Sequence, residues 1–251
     1  MNQIRFSCTS LVGTNKVGTL PKDENGYYTV VLGALNCYNS AGQYYVYEQV
    51  KALFESSSPL MRRIKRGACR GEYGHPKPIG MRPEEFAGRV LSIWEERVSH
   101  HIKEVWLDFE GKDEQGRNIV RIMGKILPNG PFGHILERQL ENKDENVCFS
   151  IRSFTDDGFR NGRMERVLKT IVTWDYVNEP GISAAEKYKS PTLESFDEIL
   201  TRGQLERGLE LYRGAPGVAM ESTISAEELF QSMGWGVTPD VGPKPAAWAG
   251  W

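Results

Sequence analysis

The segment RVSHHIKEVWLDFEGKDEQGRNIVRIMGKIL, residues 97–127, constrains the fold more than any other part of the chain. Val105, Leu107 and Phe109 recur at every second position, and a polar DEQG turn separates them from a second run that contains Ile119. A period of two places alternate side chains on one face of a strand. Two such runs joined by a short glycine-containing turn predict a β-hairpin, and therefore a sheet that is largely antiparallel.

Strand-like and helical stretches are mixed elsewhere in the first 180 residues. β-branched and aromatic runs broken by turn signals predict two or three strands in the first forty-odd residues. VCFSIRSF (147–154) and VLKTIVTWDYV (167–177) are further strand candidates. Apolar spacing predicts helices over 46–54 and 131–145. The predicted fold class is therefore α+β.

The character of the sequence changes near residue 190. SPTLESFDEILTRGQLERGLELYRG (190–214) has helix-forming, amphipathic character, and the composition becomes rich in Gly, Pro and Ala from Gly214 onward. We therefore predict a folded domain over 1–189 and a helical extension with a flexible tail over 190–251.

Composition excludes several classes of protein. The formal net charge of −2 gives no reason to expect nucleic-acid binding. Apolar stretches fall short of the roughly 18 residues that a membrane span needs, and MNQIRFSCTS lacks the layout of a signal peptide. We expect the protein to stay in the compartment where it is made. The four cysteines lie far apart without CxxC spacing and predict free thiols rather than disulfides or structural zinc: Cys8, Cys37, Cys69 and Cys148.

The segment GEYGHP (71–76) places one of only four histidines, His75, between Gly74 and Pro76. Glycine permits a positive φ or a close backbone approach, and proline holds the preceding residue in an extended or turn conformation. The imidazole therefore has a constrained direction and is a candidate base. The alternative is an ordinary exposed turn with a solvated histidine.

Four segments, in the same order, resemble motifs of the tailed-phage prohead (procapsid maturation) proteases. GEYGHP resembles their histidine motif, RVSHHIKEVWLDFEG a strand motif, VCFSIRSF their serine motif, and TIVTWDYVNEPGISAA a strand that follows the serine. The resemblance runs from Arg70 to Ala185. Each motif is short, but four in order at family-like spacing reinforce one another. That family in turn resembles herpesvirus assemblin, whose catalytic order is His, Ser, His.

The resemblance implies that Ser150 is the nucleophile and His75 the general base. Asp175 is the first choice for the third member, since a carboxylate there would fix the His75 tautomer and stabilise the imidazolium. His100, in the matched VSH motif, is the rival, and Glu72 is a further alternative. On a strand, His100 and its neighbour His101 must point to opposite faces.

Arg152 and Ser153 match or flank the serine motif and are candidates for binding the oxyanion or the substrate. Ile151 and Ser153 depart from the family pattern, which weakens the assignment of the oxyanion site but not that of Ser150. The fold implied by the resemblance is a compact, mostly antiparallel, β-barrel-like protease domain flanked by helices.

The function implied by the resemblance is a serine endopeptidase that acts inside the assembling prohead, in the host cytoplasm. Its substrates would be scaffold or core proteins, the major capsid protein and other interior proteins, cleaved after an acidic residue, typically Glu. Arg70, Arg82 or Arg152 could supply a cation for that Glu. Self-processing in the tail is implied too, and Glu227 in Ser-Ala-Glu is a candidate site. No metal, cofactor, nucleic acid or membrane is implied, and the sequence leaves a homo-oligomer open.

Three alternatives stay open at this level. Cys148 shares a strand face with Ser150 and is a conceivable nucleophile. A metal hydrolase could use His75, His100, His101 and Glu72, but neither HExxH nor HxH spacing is present. An inactive structural or scaffold component of the phage head would keep the same fold without the chemistry.

Overall fold

Two mostly antiparallel sheets with helices around them form the α+β fold that the sequence predicts. The computed structural model describes residues 2–9, 20, 22–39, 42–113, 115–145, 147–177 and 196–236. Within these ranges the sheets do not close into a barrel, so the expected barrel-like shape applies only loosely. No helix among the described residues is both long and apolar enough to cross a membrane.

The strands are β1 (Gln3–Thr9), β2 (Tyr28–Leu35), β3 (Cys37–Tyr38), β4 (Tyr44–Tyr45), β5 (Arg70–Glu72), β6 (Val98–Asp108), β7 (Val120–Pro128), β8 (Cys148–Arg160), β9 (Arg163–Val177) and β10 (Phe196–Thr201). The α-helices are α1 (Tyr47–Val50), α2 (Pro59–Lys65), α3 (Pro83–Leu91), α4 (Gly133–Glu141), α5 (Arg202–Tyr212) and α6 (Ala226–Ser232).

One sheet has the strand order β2-β7-β6-β5, and the other has the order β10-β1-β8-β9-β4-β3. The predicted hairpin is confirmed, because β6 and β7 pair antiparallel from His100↔Pro128 to Asp108↔Arg121. The predicted strands VCFSIRSF and VLKTIVTWDYV are confirmed as well, and together they form the long β8–β9 hairpin.

Strand β8 is buried on both faces from Cys148 to Thr155. One face packs into the larger core cluster, which joins the two sheets and includes Phe149, Ile151 and Trp174. The other face meets a second cluster beneath the helices, where Phe154 packs with Phe6 and Phe86. A strand buried on both sides can hold polar side chains only where other polar groups satisfy them.

The predicted helix over 46–54 is reduced to one turn, α1, followed by a 3₁₀ turn at Lys51–Phe54. The chain breaks there as predicted, and α2 starts at Pro59, where the Ser58 hydroxyl accepts a hydrogen bond from the Met61 amide at 3.2 Å. The predicted helix over 131–145 is confirmed as α4.

The helix predicted from residue 190 is wrong for Phe196–Thr201, which forms β10 and pairs with β1. Helix α5 begins only after Thr201, whose hydroxyl accepts from the Gln204 amide in a capping box. Strand pairing therefore overrides the local helical spacing. The boundary at residue 189 stays a prediction, and the tail from residue 237 onward lies outside the described residues.

Helices α3 and α5 touch through two glycines. A Cβ atom on Gly208 would lie 2.3 Å from the Gly88 backbone nitrogen and 2.7 Å from the Glu84 carbonyl oxygen. These neighbours are backbone atoms, so they cannot rotate away as a flexible side chain can. The close approach therefore requires glycine at position 208.

We predict that Gly208→Ala lowers the free energy of unfolding by about 1–3 kcal/mol, the typical cost of overpacking. The gain in helix propensity from alanine, about 1 kcal/mol, is too small to offset helix separation. Gly203→Ala is the matched control on the same helix, since its Cβ would meet only the end of the Arg207 side chain at 3.4 Å. Urea unfolding of both variants measures the difference, and equal stability of the two would contradict the close-contact interpretation.

Candidate active site

The backbone around His75 directs the imidazole toward strand β9. Gly74 has a φ of +73°, as its place before the histidine predicts, and its amide donates to the Tyr176 carbonyl at 2.8 Å. The Glu72 amide donates to Asp175 Oδ1 at 3.2 Å, which ties the end of β5 to the same strand. Only 7% of the His75 side chain is exposed, so the alternative of a solvated turn histidine is wrong.

His75 and Asp175 are in contact, with 3.2 Å between Nδ1 and Oδ2. Arg152 donates two hydrogen bonds to the same carboxylate, from Nε to Oδ2 at 2.8 Å and from Nη2 to Oδ1 at 2.7 Å. Burial alone would raise the pKa of Asp175, but the Arg152 charge and the His75 contact hold it well below its usual range. Asp175 is therefore an ionised carboxylate in contact with the His75 ring.

Behind Asp175 lies a second buried carboxylate, Glu72. Arg152 Nη2 also donates to Glu72 at 3.0 Å, and Arg89 binds Glu72 through both of its terminal nitrogens. The Trp94 amide adds a further donor at 2.7 Å. Two guanidinium groups and two carboxylates thus neutralise one another inside the fold. Glu72 therefore supports Arg152. Among the described residues, Glu72 has no hydrogen bond to His75. Sequence reasoning missed Arg89.

Ser150 lies directly opposite Asp175 in the β8–β9 register and is fully buried. Its Oγ has no hydrogen-bond partner among the described residues, and neither does His75 Nε2. The structure therefore places Ser150 beside Asp175, and the described residues show no hydrogen bond between Ser150 and His75. Catalytic hydrogen bonds are often unformed in the absence of substrate. Burial raises the pKa of the Cys148 thiol to about 12, so this rival nucleophile is uncharged at neutral pH.

His100 and His101 point to opposite faces, as predicted. His100 is fully buried, its Nδ1 lies 2.9 Å from the Ser99 hydroxyl, and its ring packs on Phe149. Burial lowers its pKa to about 4. The His101 ring instead meets the Tyr27 hydroxyl at 3.2 Å. The described residues give His100 no hydrogen bond to His75, so its contacts are those of a neutral core histidine.

Cys8 is, like Arg89, a residue near the site that sequence reasoning did not identify. It lies opposite Arg152 in the β1–β8 register, and one ligand atom from each of Cys8, His75 and Asp175 lies within 4.8 Å of the others. Burial lowers the pKa of His75, but the Cys8 sulfur and the Asp175 carboxylate raise it more, to about 10. Only the pairing of β1 with β8 reveals this neighbour, and the sequence carries no signal for it.

Arg152 and Ser153 have contacts that bear on their predicted roles. Arg152 is fully buried, and its remaining terminal nitrogen donates to the Ser92 carbonyl at 3.0 Å. Its donors therefore bind the two carboxylates and a backbone carbonyl. The Ser153 hydroxyl donates to the Ser7 carbonyl at 3.4 Å. An oxyanion or substrate role for either residue stays a prediction.

The other two cations proposed for recognition of a substrate glutamate have acidic partners. Arg70 binds Glu221 at 2.7 Å, and Arg82 binds Glu85 at 2.9 Å. A substrate carboxylate would have to compete with these partners.

The similarity of the chain to known proteins shows its family. The profile of the Peptidase S80 family matches residues 6–232, which include His75, Ser150 and Asp175. The chain is similar to the capsid maturation protease of Pseudomonas phage phiKZ, with 36% identity over 255 residues, covering 97% of this chain and 93% of that protein. Among solved structures it is similar to the capsid assembly protease of bacteriophage T4, at 10% identity and a TM-score of 0.44, covering 70% of this chain and 99% of that one. The resemblance to phage prohead proteases is thereby confirmed, and the protein belongs to the Peptidase S80 family.

Proposed function

We propose that this protein is a serine endopeptidase of phage head maturation, with Ser150 as nucleophile, His75 as general base and Asp175 as the group that orients the base. The observation that carries the proposal is the 3.2 Å contact between His75 and Asp175, with Ser150 beside Asp175 in the strand register. Family membership and the phiKZ relative support the protease activity and its setting.

In the proposed mechanism, Ser150 Oγ attacks the scissile carbonyl and its proton passes to His75 Nε2. Both atoms are buried and unpartnered among the described residues, so neither has to give up another hydrogen bond first. Asp175 accepts from Nδ1, which keeps Nε2 free to take the proton and stabilises the imidazolium that results. The imidazolium then donates its proton to the leaving amine, and water hydrolyses the acyl-enzyme.

Arg152 is a positioning residue in this scheme. Its two hydrogen bonds fix the Asp175 carboxylate, which in turn fixes the plane of the His75 ring. Glu72 and Arg89 hold Arg152 from behind. Geometry held by packed groups in this way is what general base catalysis requires.

The proposed substrates are the scaffold or core proteins, the major capsid protein and other proteins of the prohead interior, cleaved after glutamate. The setting is the assembling prohead within the host cytoplasm. The phiKZ relative, a capsid maturation protease, supports this choice.

Self-processing is part of the proposal, with the bond after Glu227 as its candidate site. Ser225 caps helix α6, and Glu227 lies in the first turn of that helix. A protease cleft binds extended chain, so cleavage there requires the first turn of α6 to unwind.

We predict that Ser150→Ala abolishes peptide-bond cleavage, with a loss of about 10³-fold or more in kcat, the scale set by removal of a serine-protease nucleophile. Cys148→Ala is the matched control, because both side chains are small and lie on the same strand. Intact mass over time, with and without added scaffold and capsid proteins, measures cleavage. Retained cleavage by Ser150→Ala would exclude Ser150 as nucleophile, and an uncut wild type in all mixtures would contradict the protease assignment.

We also predict an alkaline pH dependence. His75 must be neutral to act as a base, so kcat/KM should rise as the pH passes from about 6.5, the ordinary histidine pKa, toward the His75 pKa of about 10. The same sign applies to stability: charged His75 stabilises the fold below pH of about 6.5, and this contribution is lost as the pH rises through about 10.

Cys8→Ala removes one of the two groups that raise the His75 pKa, and should shift the acid limb of the kcat/KM profile toward lower pH. Cys37→Ala, at the far edge of the same sheet, should leave the profile unchanged. Superimposable profiles for wild type and Cys8→Ala would show that Cys8 does not act on His75.

A further prediction concerns Arg152→Lys. Lysine keeps the charge but cannot donate the same two hydrogen bonds to Asp175. We therefore expect kcat to fall by about 10²-fold or more, because His75 would be misplaced. Arg160→Lys is the matched control, since Arg160 lies at the exposed end of the same strand with one ion pair, to Asp156 at 3.3 Å. Steady-state kinetics together with thermal melts separate the catalytic effect from unfolding, and unchanged kcat would contradict the positioning role.

A further inference from the structure

Three different ligand types converge beside the proposed nucleophile. The Cys8 sulfur, a His75 ring nitrogen and an Asp175 carboxylate oxygen all lie within 4.8 Å of one another. Cys8 and Asp175 are fully buried, and 7% of the His75 side chain is exposed.

These distances suit a tetrahedral cation. Zinc binds nitrogen and oxygen at about 2.0–2.2 Å and sulfur at about 2.3 Å, so two N/O ligands of one zinc ion lie about 3.3 Å apart. The separation of His75 Nδ1 from Asp175 Oδ2 is 3.2 Å. The Cys8 sulfur lies within 4.8 Å of the other two ligand atoms and would lie about 3.5 Å from each in a zinc site, so an adjustment of about 1.3 Å at most completes the set.

We propose that Cys8, His75 and Asp175 form a site for a thiophilic divalent cation, zinc above all, which blocks the protease when it is occupied. Thiolate and imidazole select zinc over calcium or magnesium, which prefer oxygen ligands alone. On binding, the Cys8 thiol releases its proton to solvent, and thiolate and carboxylate together balance the charge of the cation.

The neighbouring cation Arg152 does not oppose this site alone, because Glu72 and Asp175 share its charge. Arg152 Nη2 is bound to Glu72 at 3.0 Å as well as to Asp175. Arg89 in turn binds Glu72. Arg152 Nε also donates to Asp175 Oδ2 at 2.8 Å, so a cation on that oxygen would take the place of the His75 contact while the guanidinium keeps its bond to Oδ1.

Inhibition rests on the proposed function, whereas metal binding does not. A cation on His75 Nδ1 and Asp175 leaves the ring proton of the neutral imidazole on Nε2, so the imidazole cannot accept the proton of Ser150. Removal of the metal by a chelator would restore the free base. Metal binding at this site thus inhibits proteolysis reversibly.

The test uses the full chain, reduced and freed of metal, titrated anaerobically with Co²⁺ as a spectroscopic substitute for zinc. We expect one thiolate-to-cobalt charge-transfer band with one equivalent bound, displaced by zinc. Cys8→Ser should lose this band, whereas Cys37→Ser, another buried cysteine of the same sheet, should keep it. Thermal melts check folding, and Cys8→Ala provides a second variant if the serine variant is unstable.

No charge-transfer band in the wild type, or a band that survives in Cys8→Ser, would overturn the metal site. A second arm measures proteolysis: zinc should inhibit the wild type reversibly, and Cys8→Ser should need at least about tenfold more zinc, which corresponds to about 1.4 kcal/mol. Zinc that binds without slowing cleavage would overturn the blocking role. A wild type that cleaves nothing even without metal would count against the proposed function, and the cobalt result would still decide the metal site.

Discussion

The ion pair between Arg152 and Asp175 is the interaction on which the site depends. Both side chains are fully buried, and burial of two charges is costly unless all their hydrogen bonds are satisfied. Glu72, the Ser92 carbonyl and His75 complete the set around them. Removing one partner would leave an uncompensated charge in the core, at a cost of about 3–5 kcal/mol. The fold and the orientation of the proposed base therefore rely on the same contacts.

Arg152 lies on β8 and Asp175 on the paired strand β9, and both side chains are fully buried. Apolar clusters cover both faces of β8 around Ser150 and Arg152. A low local dielectric strengthens the interactions between His75, Asp175 and Arg152 relative to those in water. Of Ser150, Arg152, Asp175 and His75, only His75, which follows β5, is partly exposed, and the proposed approach of a substrate is therefore from the side of the Gly-His-Pro turn.

Sequence patterns predicted the local features well. The alternation around Val105 and Leu107 gave the correct hairpin, and the Gly74–Pro76 frame correctly indicated a directed His75. Asp175 was identified by chain order, and its contact with His75 agrees with that choice. These features follow from short-range spacing or from motifs that carry their own context.

Long-range pairing could not be predicted in the same way. The neighbours of β1 depend on register between distant strands, so the approach of Cys8 to His75 left no trace in local spacing. The helix expected at Phe196–Thr201 became a strand because the edge of β1 was available to it. Arg89 looked like an ordinary helical cation, since its partner Glu72 lies on a different element.

The placement of β1 between β8 and β10 has a consequence for the order in which the chain can assemble. Ser7 bonds to Ser153, 146 residues away, and Arg5 pairs with Asp197, 192 residues away. Strand β1 therefore pairs with its neighbours late in folding, because contacts of such separation form slowly. Until β10 has been synthesised, the strand that carries Cys8 has an open edge. The side of the site that β1 forms is therefore completed late in folding. This delays the formation of an intact site in a newly made copy.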